Sequence, residues 1–110
     1  MTLDPNLLKG NLELILLSIL ESGEHYGLEI IKEAQVRTDN YFDFKEGSLY
    51  PALHRLTQAG LLAAEFKYSP RGGAPVRYYR LTDAGSRALR DKREAFKRFN
   101  RSVEALWELR

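Results

Sequence analysis

The sequence predicts a mostly α-helical fold with a small β-hairpin, arranged as a winged helix-turn-helix that is extended by a long C-terminal helix. Two observations support this prediction. Apolar residues recur at helical spacing in four separate stretches. One further stretch, residues 61–81, instead alternates its side chains on both sides of a turn rich in glycine and proline. The predicted order is helix, helix, short strand, helix, hairpin, helix, with a DNA-binding domain at 1–82 and a dimerisation helix at 83–110.

Composition limits the classes of protein that fit. A chain of 110 residues forms one domain with a modest core. The absence of cysteine removes disulfides, thiolate nucleophiles and Cys-based zinc sites. The N-terminus lacks a signal-peptide pattern, and no apolar run reaches the roughly 18 residues that a membrane span needs. We therefore expect a cytoplasmic protein with no membrane partner.

Formal charge is distributed unevenly along the chain. Residues 1–64 carry five basic and nine acidic side chains, a net charge of −4, whereas residues 65–110 carry twelve and six, a net charge of +6. A basic segment beside an acidic one can supply a surface for phosphates, although exposed helices are often basic for solvation alone.

The first helix is predicted to begin at Asp4 and Pro5, a capping residue followed by a proline at the first helical position. Residues 7–20 are rich in Leu and Ile, and their apolar surface is broader than one helix face. Such a helix needs cover on two sides, which indicates contact with a second subunit through Leu8 and Leu12.

A turn and a second helix follow, and then an aromatic connection. His25 lies in the predicted turn, and neither it nor His54 has an evident third ligand, so no metal site is expected. Residues 38–45 contain three aromatic side chains, which predicts a short extended segment that could pair with the hairpin as a third strand.

The third predicted helix, residues 47–60, is the segment on which the functional prediction depends. Pro51 restricts where its first turn can lie, and Gly60 is a natural stop after the last turn. The apolar edge comprises Leu49, Ala52, Leu53 and Leu56. The opposite side has no long Lys or Glu side chains and carries Gly47, Ser48, Tyr50, Pro51, His54, Arg55 and Gln58. This face suits insertion into a DNA major groove, although an ordinary surface helix is an equally open interpretation.

The predicted hairpin has a basic, flexible tip. Four basic residues and one acidic residue lie between positions 65 and 80, a net charge of +3. Gly72 and Gly73 allow close approach of the backbone to a duplex, and Arg71 at the tip could enter a minor groove or bind phosphates. A nucleotide-binding loop is disfavoured, since no Lys-Ser/Thr pair or helix follows directly.

The last helix is predicted to run from Thr82, its cap, to Arg110. A stripe at four-three spacing predicts a coiled-coil-like dimer arm formed by Leu89, Phe96, Phe99, Val103 and Leu106. Phe96, Phe99 and Trp107 could also line a cavity between subunits that accepts a flat aromatic ligand.

Several motifs resemble those of the PadR-type transcriptional regulators, in order and at matching spacing over about residues 7–90. The motifs are Leu8-Lys9-Gly10, Ile15-Leu16, Tyr26-Gly27-Leu28-Glu29-Ile30, Gly47-Ser48-Leu49-Tyr50-Pro51-Ala52-Leu53-His54-Arg55-Leu56, Gly60-Leu61-Leu62 and Tyr78-Tyr79-Arg80-Leu81-Thr82-Asp83-Ala84-Gly85. The single C-terminal helix is similar to that of the short branch of the family. One departure is Leu28, where many members have a second Tyr.

The resemblance implies a homodimeric repressor that binds double-stranded DNA with the third helix in the major groove and the wing on the adjacent backbone or minor groove. An inverted-repeat operator is then expected, because a dimer places its two groove helices about one DNA turn apart. The residues expected at the DNA are Lys45, Ser48, Tyr50, Pro51, His54, Arg55, Lys67, Arg71 and Arg77. Derepression is expected if a small aromatic effector between the C-terminal helices favours a mismatched dimer spacing.

Two other functions remain open at this point. One is a dimer whose main property is to bind multidrug-type or phenolic compounds, and the other is a winged-helix module that binds a partner protein. An enzyme is not expected, because no nucleophile with a base, spaced carboxylate pair or metal-ligand cluster can be assembled. No cofactor is expected.

Overall fold

The computed structural model describes residues 3–108, and in this range it contains four helices and a three-stranded antiparallel sheet. The elements are α1 (Pro5–Leu20), β1 (His25–Tyr26), α2 (Gly27–Arg37), α3 (Glu46–Gln58), β2 (Leu62–Lys67), β3 (Val76–Leu81) and α4 (Asp83–Trp107). Helices followed by a hairpin and a long last helix confirm the predicted fold class.

Helix α1 is buried at its C-terminal half and partly open at its N-terminal half. Asp4 caps it by accepting a 2.8 Å hydrogen bond from the backbone N–H of Asn6, and Pro5 follows at the first helical position. Leu7 is exposed, and Leu8 and Leu12 are half-buried. The side chains that enter the core are Leu16, Leu17, Ile19 and Leu20. Leu7, in the first turn, is therefore the most exposed large apolar side chain of α1.

The core lies between α1, α2, α3 and the inner side of the sheet. Its α3 edge is the predicted one, since Leu49, Ala52, Leu53 and Leu56 are all buried. Tyr79 of β3 and Leu89 of α4 complete the same cluster. Burial of this apolar edge fixes which side of α3 faces outward.

The third strand differs from the prediction. It is β1, whose His25 and Tyr26 pair with Tyr79 and Tyr78 of β3, giving the sheet order β1-β3-β2. Residues 38–45 form no strand: Asp39 and Asn40 have φ of 51° and 65°, left-handed values that turn the chain. The predicted extended segment is instead a loop, anchored by the buried Phe44.

Helix α4 is attached to the rest of the domain at its start. The Thr82 hydroxyl accepts a 3.0 Å hydrogen bond from the Gly85 N–H and donates a 2.7 Å bond to the Gly60 carbonyl. Gly85 lies so close to the Leu61 carbonyl that a Cβ there would overlap it. The helix has 25 residues, which corresponds to about 37 Å. It ends at Trp107, before the predicted end at Arg110, which lies outside the described residues.

Within residues 3–108, none of the helices combines the length and apolar character that a membrane crossing requires. Over the same range, no three His, Cys, Asp or Glu side chains come close enough together to hold a metal ion.

Candidate nucleic-acid interface

The outward side of α3 is uncovered and carries short side chains. Ser48, Pro51 and His54 are exposed there, and Lys45 is exposed at the residue that precedes the helix. Two backbone N–H groups of the first turn, those of Ser48 and Leu49, bond to the Lys45 carbonyl at 3.1 and 3.0 Å. The structure therefore brings four of the predicted DNA-contacting residues together at the N-terminal half of this helix.

Glu46 also lies in the first turn of α3. Within the described residues it forms no ion pair with Lys45. A carboxylate at this position interacts favourably with the positive end of the helix dipole. Its place in the structure is thus explained by the helix and not by pairing with its basic neighbour.

Tyr50 lies on the α2 side of α3 and packs against the first residue of α2. A Cβ at Gly27 would overlap the Tyr50 ring and hydroxyl, so the glycine is required for this contact. Burial raises the pKa of the Tyr50 hydroxyl, and the charge of Glu46 raises it further. The hydroxyl therefore stays protonated at neutral pH and is available as a hydrogen-bond donor beside the uncovered side of α3.

A cleft of about 310 Å³ separates the N-terminal ends of α2 and α3 from the hairpin. Arg71 and Arg77 line it from the hairpin, and Tyr50 lines it from α3. Gly72 and Gly73, at the tip, have φ of 79° and 85°, a left-handed backbone that glycine adopts without strain. None of the described residues that line this cleft is acidic, so the cleft has a positive charge on one wall.

Lys67 lies on the other face of the hairpin. Successive side chains of a strand alternate between the two faces of the sheet, and paired residues share a face. Phe66 pairs with Arg77 and Lys67 pairs with Val76, so Lys67 and Arg77 lie on opposite faces. Lys67 forms ion pairs with Glu24 and Glu65, and the hydrogen bond to Glu24 raises its pKa. The structure therefore does not bring Lys67 together with the residues of the cleft.

Arg55 is likewise separated from the cleft. It is exposed on the opposite flank of α3, where it lines a cavity of about 470 Å³ with residues of α1 and α4. The same cavity is lined by Phe96 and Phe99, but not by Trp107. Two of the three residues predicted to bind an aromatic ligand are thus brought together, with Lys9, Glu13, Arg55 and Lys92 around them.

The α4 stripe is divided between two environments. Leu89, which is predicted as a dimer contact, is only 1% exposed in the single chain and belongs to the core of that chain. Beyond it, Phe99, Leu106 and Trp107 are 67%, 81% and 71% exposed, and Val103 is half-buried. The apolar surface that is left for a partner therefore lies in the second half of the helix.

Two exposed aromatic residues of the hairpin were not among the predicted site residues. Phe66 is 69% and Tyr68 is 76% exposed. Their alternation with Leu62 and Ala64 predicts a core-facing row, but the hairpin extends past the core, so the end of the row is left in solvent. The available signal was their position among basic residues at the tip.

Comparison with known proteins identifies close structural relatives. The model of the transcriptional regulator PadR-like family matches residues 16–91. The fold is similar to that of a transcriptional regulator from Clostridium thermocellum, with a TM-score of 0.84 and 27% identity over 94% of this chain and 99% of that one. A PadR family regulator from Eggerthella lenta gives a TM-score of 0.82 and 30% identity over 96% and 88%. The transcriptional regulator Rv3488 of Mycobacterium tuberculosis is 44% identical over 57 residues, 52% of this chain and 51% of that protein.

Proposed function

Because the chain belongs to the PadR-like family of transcriptional regulators, we propose that it is a homodimeric repressor that binds an inverted-repeat operator and releases it when a small aromatic effector binds. DNA binding and regulation of transcription, without enzymatic activity, are the function of the family. The proposal adds the residues at the DNA, the subunit contact and the means of release.

The observation that carries the DNA part of the proposal is the uncovered α3 face beside a cleft without acidic residues. With α3 in the major groove, Ser48, Pro51 and His54 would meet base edges, since N-terminal residues of such a helix lie deepest in the groove. Lys45, Arg71 and Arg77 would contact phosphates on either side, because arginine and lysine provide most backbone contacts. The Tyr50 hydroxyl would donate a hydrogen bond to a phosphate of the DNA backbone.

The dimer part of the proposal rests on apolar surface that one chain leaves uncovered. Phe99, Leu106 and Trp107 lie exposed along one side of α4, and an apolar patch of this kind marks an interaction site. A second apolar surface, a groove of about 560 Å³, is lined mainly by residues of α1, α2 and the following loop, together with Phe96. We propose that the second half of α4 from one copy packs on the second half of α4 and on the groove of the other copy. Leu8 and Leu12 of α1 would lie at the edge of this contact. Two α3 helices would then lie about 34 Å apart, one DNA turn.

The effector part of the proposal rests on the 470 Å³ cavity between α1, α3 and α4. Its volume lies in the range of small-molecule sites, and Phe96 and Phe99 supply faces for a planar ring. Arg55 is the residue of α3 that lines this cavity. A ligand that binds more tightly to one placement of α3 and α4 shifts the dimer toward it, and operator affinity falls if that placement mismatches the DNA.

The experiment that tests the function is binding of fluorescent upstream promoter DNA across a salt series, with a scrambled duplex as control. We expect tight, sequence-dependent binding that weakens steeply with salt, and weakens further with at least one compound from a panel of planar aromatics. Arg71→Ala should weaken binding to both duplexes and reduce the salt slope by about 1, because it removes one phosphate contact. Absence of binding to either duplex at low salt would refute the proposal.

A further inference from the structure

The two faces of the hairpin differ in how their basic residues are held. On the outer face, Lys67 is paired with Glu24 and Glu65, and Arg80 lines the same pocket as both carboxylates. On the inner face, which we define as Phe66, Arg77 and Tyr79, the arginine has no acidic partner within residues 3–108. The only cation of the inner face is therefore not neutralised by the protein itself.

The Arg77 guanidinium is held by aromatic rings instead. Its Cζ lies 5.9 Å from the centre of the Phe66 ring and 5.8 Å from the centre of the Tyr79 ring. Phe66 is the cross-strand partner of Arg77, and Tyr79 is the next residue along β3 on the same face. Both distances are within the range in which a guanidinium is attracted to the face of a ring. The two rings thus limit the rotamers that Arg77 can adopt at the edge of the cleft.

From this geometry we propose that Phe66 is a positioning residue, which together with Tyr79 holds Arg77 ready to pair with a phosphate of the DNA strand that passes between α3 and the hairpin. The inference rests on the proposed DNA binding and adds to it a residue with no charge of its own. A free arginine loses side-chain entropy when it pairs with a phosphate. Tyr79 is buried in the core and fixed, whereas Phe66 is exposed and its ring has little other packing to satisfy.

A double-mutant cycle separates positioning from direct contact. We would measure DNA affinity for Phe66→Leu, Arg77→Ala and the double variant, using the upstream promoter duplex at fixed salt. Phe66→Leu keeps an apolar side chain and removes the ring, so we expect about two- to fivefold weaker binding. In the Arg77→Ala background the same change should leave affinity unchanged, because no guanidinium is left to hold. Phe66→Trp should restore wild-type affinity.

Two controls make the result interpretable. Arg80→Ala removes the same charge from the outer face and should weaken binding less than Arg77→Ala. The melting temperature of Phe66→Leu should equal that of the wild type, because the ring is exposed.

The inference is overturned if Phe66→Leu weakens binding equally in both backgrounds, which would mean that the ring itself contacts DNA, or if it has no effect in the wild-type background. These outcomes differ from a failure of the proposed function, in which the wild-type protein would bind no DNA.

Discussion

The first half of α4 is part of the winged-helix domain, whereas the second half extends away from it. In the first half, Leu89 is buried in the core, Lys92 forms an ion pair with Glu13 in the middle of α1, and Arg93 forms one with Glu21 directly after α1. In the second half, Phe99, Leu106 and Trp107 lie in solvent, and the Ser102 hydroxyl donates its hydrogen bond to the Arg98 carbonyl of the same helix.

The difference shows that one continuous stripe of apolar residues serves two purposes. Its first part completes a core that a single chain closes by itself. Its second part leaves Phe99, Leu106 and Trp107 largely exposed in the single chain, which is why the dimer proposal depends on that part of α4. The predictions below test this division, beginning with the largest expected effect.

Replacement of Leu89 by alanine should destabilise the protein strongly. The side chain is fully buried, so its loss leaves a cavity, and we expect the free energy of unfolding to fall by about 3–4 kcal/mol. Leu106→Ala removes the same atoms from an exposed site and should change it by less than about 0.5 kcal/mol in dilute protein. Urea denaturation measures the free energy of unfolding of both variants. Equal effects of the two variants would contradict the division of α4.

Gly85→Ala should destabilise the junction between the hairpin and α4. The new Cβ would overlap the Leu61 carbonyl, which is backbone and cannot move aside cheaply. We expect a loss of about 2–3 kcal/mol in unfolding free energy. Gly47→Ala is a matched control, because open space surrounds its Cβ position and alanine favours a helix. A loss as large at Gly47 would show that the effect is not steric.

Leu106→Glu should weaken the dimer at least about tenfold, because it places a charge in the apolar surface of the second half of α4. Ala105→Glu introduces the same charge one residue earlier, about 100° around the helix and away from the stripe. It should leave the dimer intact. Sedimentation equilibrium gives both dissociation constants, and an equal loss in the two variants would argue against a contact through the stripe.

Arg93→Gln should have the smallest effect, and that effect should depend on pH. The hydrogen bond from Arg93 lowers the pKa of Glu21 below its ordinary value of 4.5. The pair therefore stabilises the fold fully above about pH 4.5, and this contribution is lost as pH falls through the lowered pKa. At pH 7 we expect a melting temperature about 1–3 °C below wild type.

The comparison for this variant is Arg98→Gln, which removes an arginine that forms no ion pair within residues 3–108. It should leave the melting temperature unchanged at both pH 7 and pH 3. A deficit of Arg93→Gln that persisted undiminished at pH 3 would show that the carboxylate of Glu21 is not its cause.

Sequence periodicity was sufficient for the helices and the hairpin, because each buries one regular face. It failed for β1, because two residues are too few to show a period. The aromatic loop at residues 38–45 resembled a strand more closely than His25 and Tyr26 did. Only tertiary contact decides between them: Asp39 and Asn40 adopt left-handed conformations, while His25 and Tyr26 occupy the open edge of β3.

The candidate site shows the same limit. The outward side of α3 follows from its buried edge. Which side of the hairpin faces the cleft depends on how the sheet packs, so Lys67 and Arg77 were indistinguishable in sequence. Lys67 is neutralised by Glu24, a residue 43 positions away, and no local pattern reveals such a pair.

The hydroxyl of Thr82 bonds both to the last turn after α3 and to the first turn of α4. One side chain therefore holds the end of α3 to the start of α4, and the part of α4 that follows Arg93 extends about 21 Å further. A rotation of this segment by about 5° about its start would move its far end by about 2 Å. In the proposed dimer, small adjustments where the arms meet would change the distance between the two α3 helices, and the length of this segment would set the size of that change.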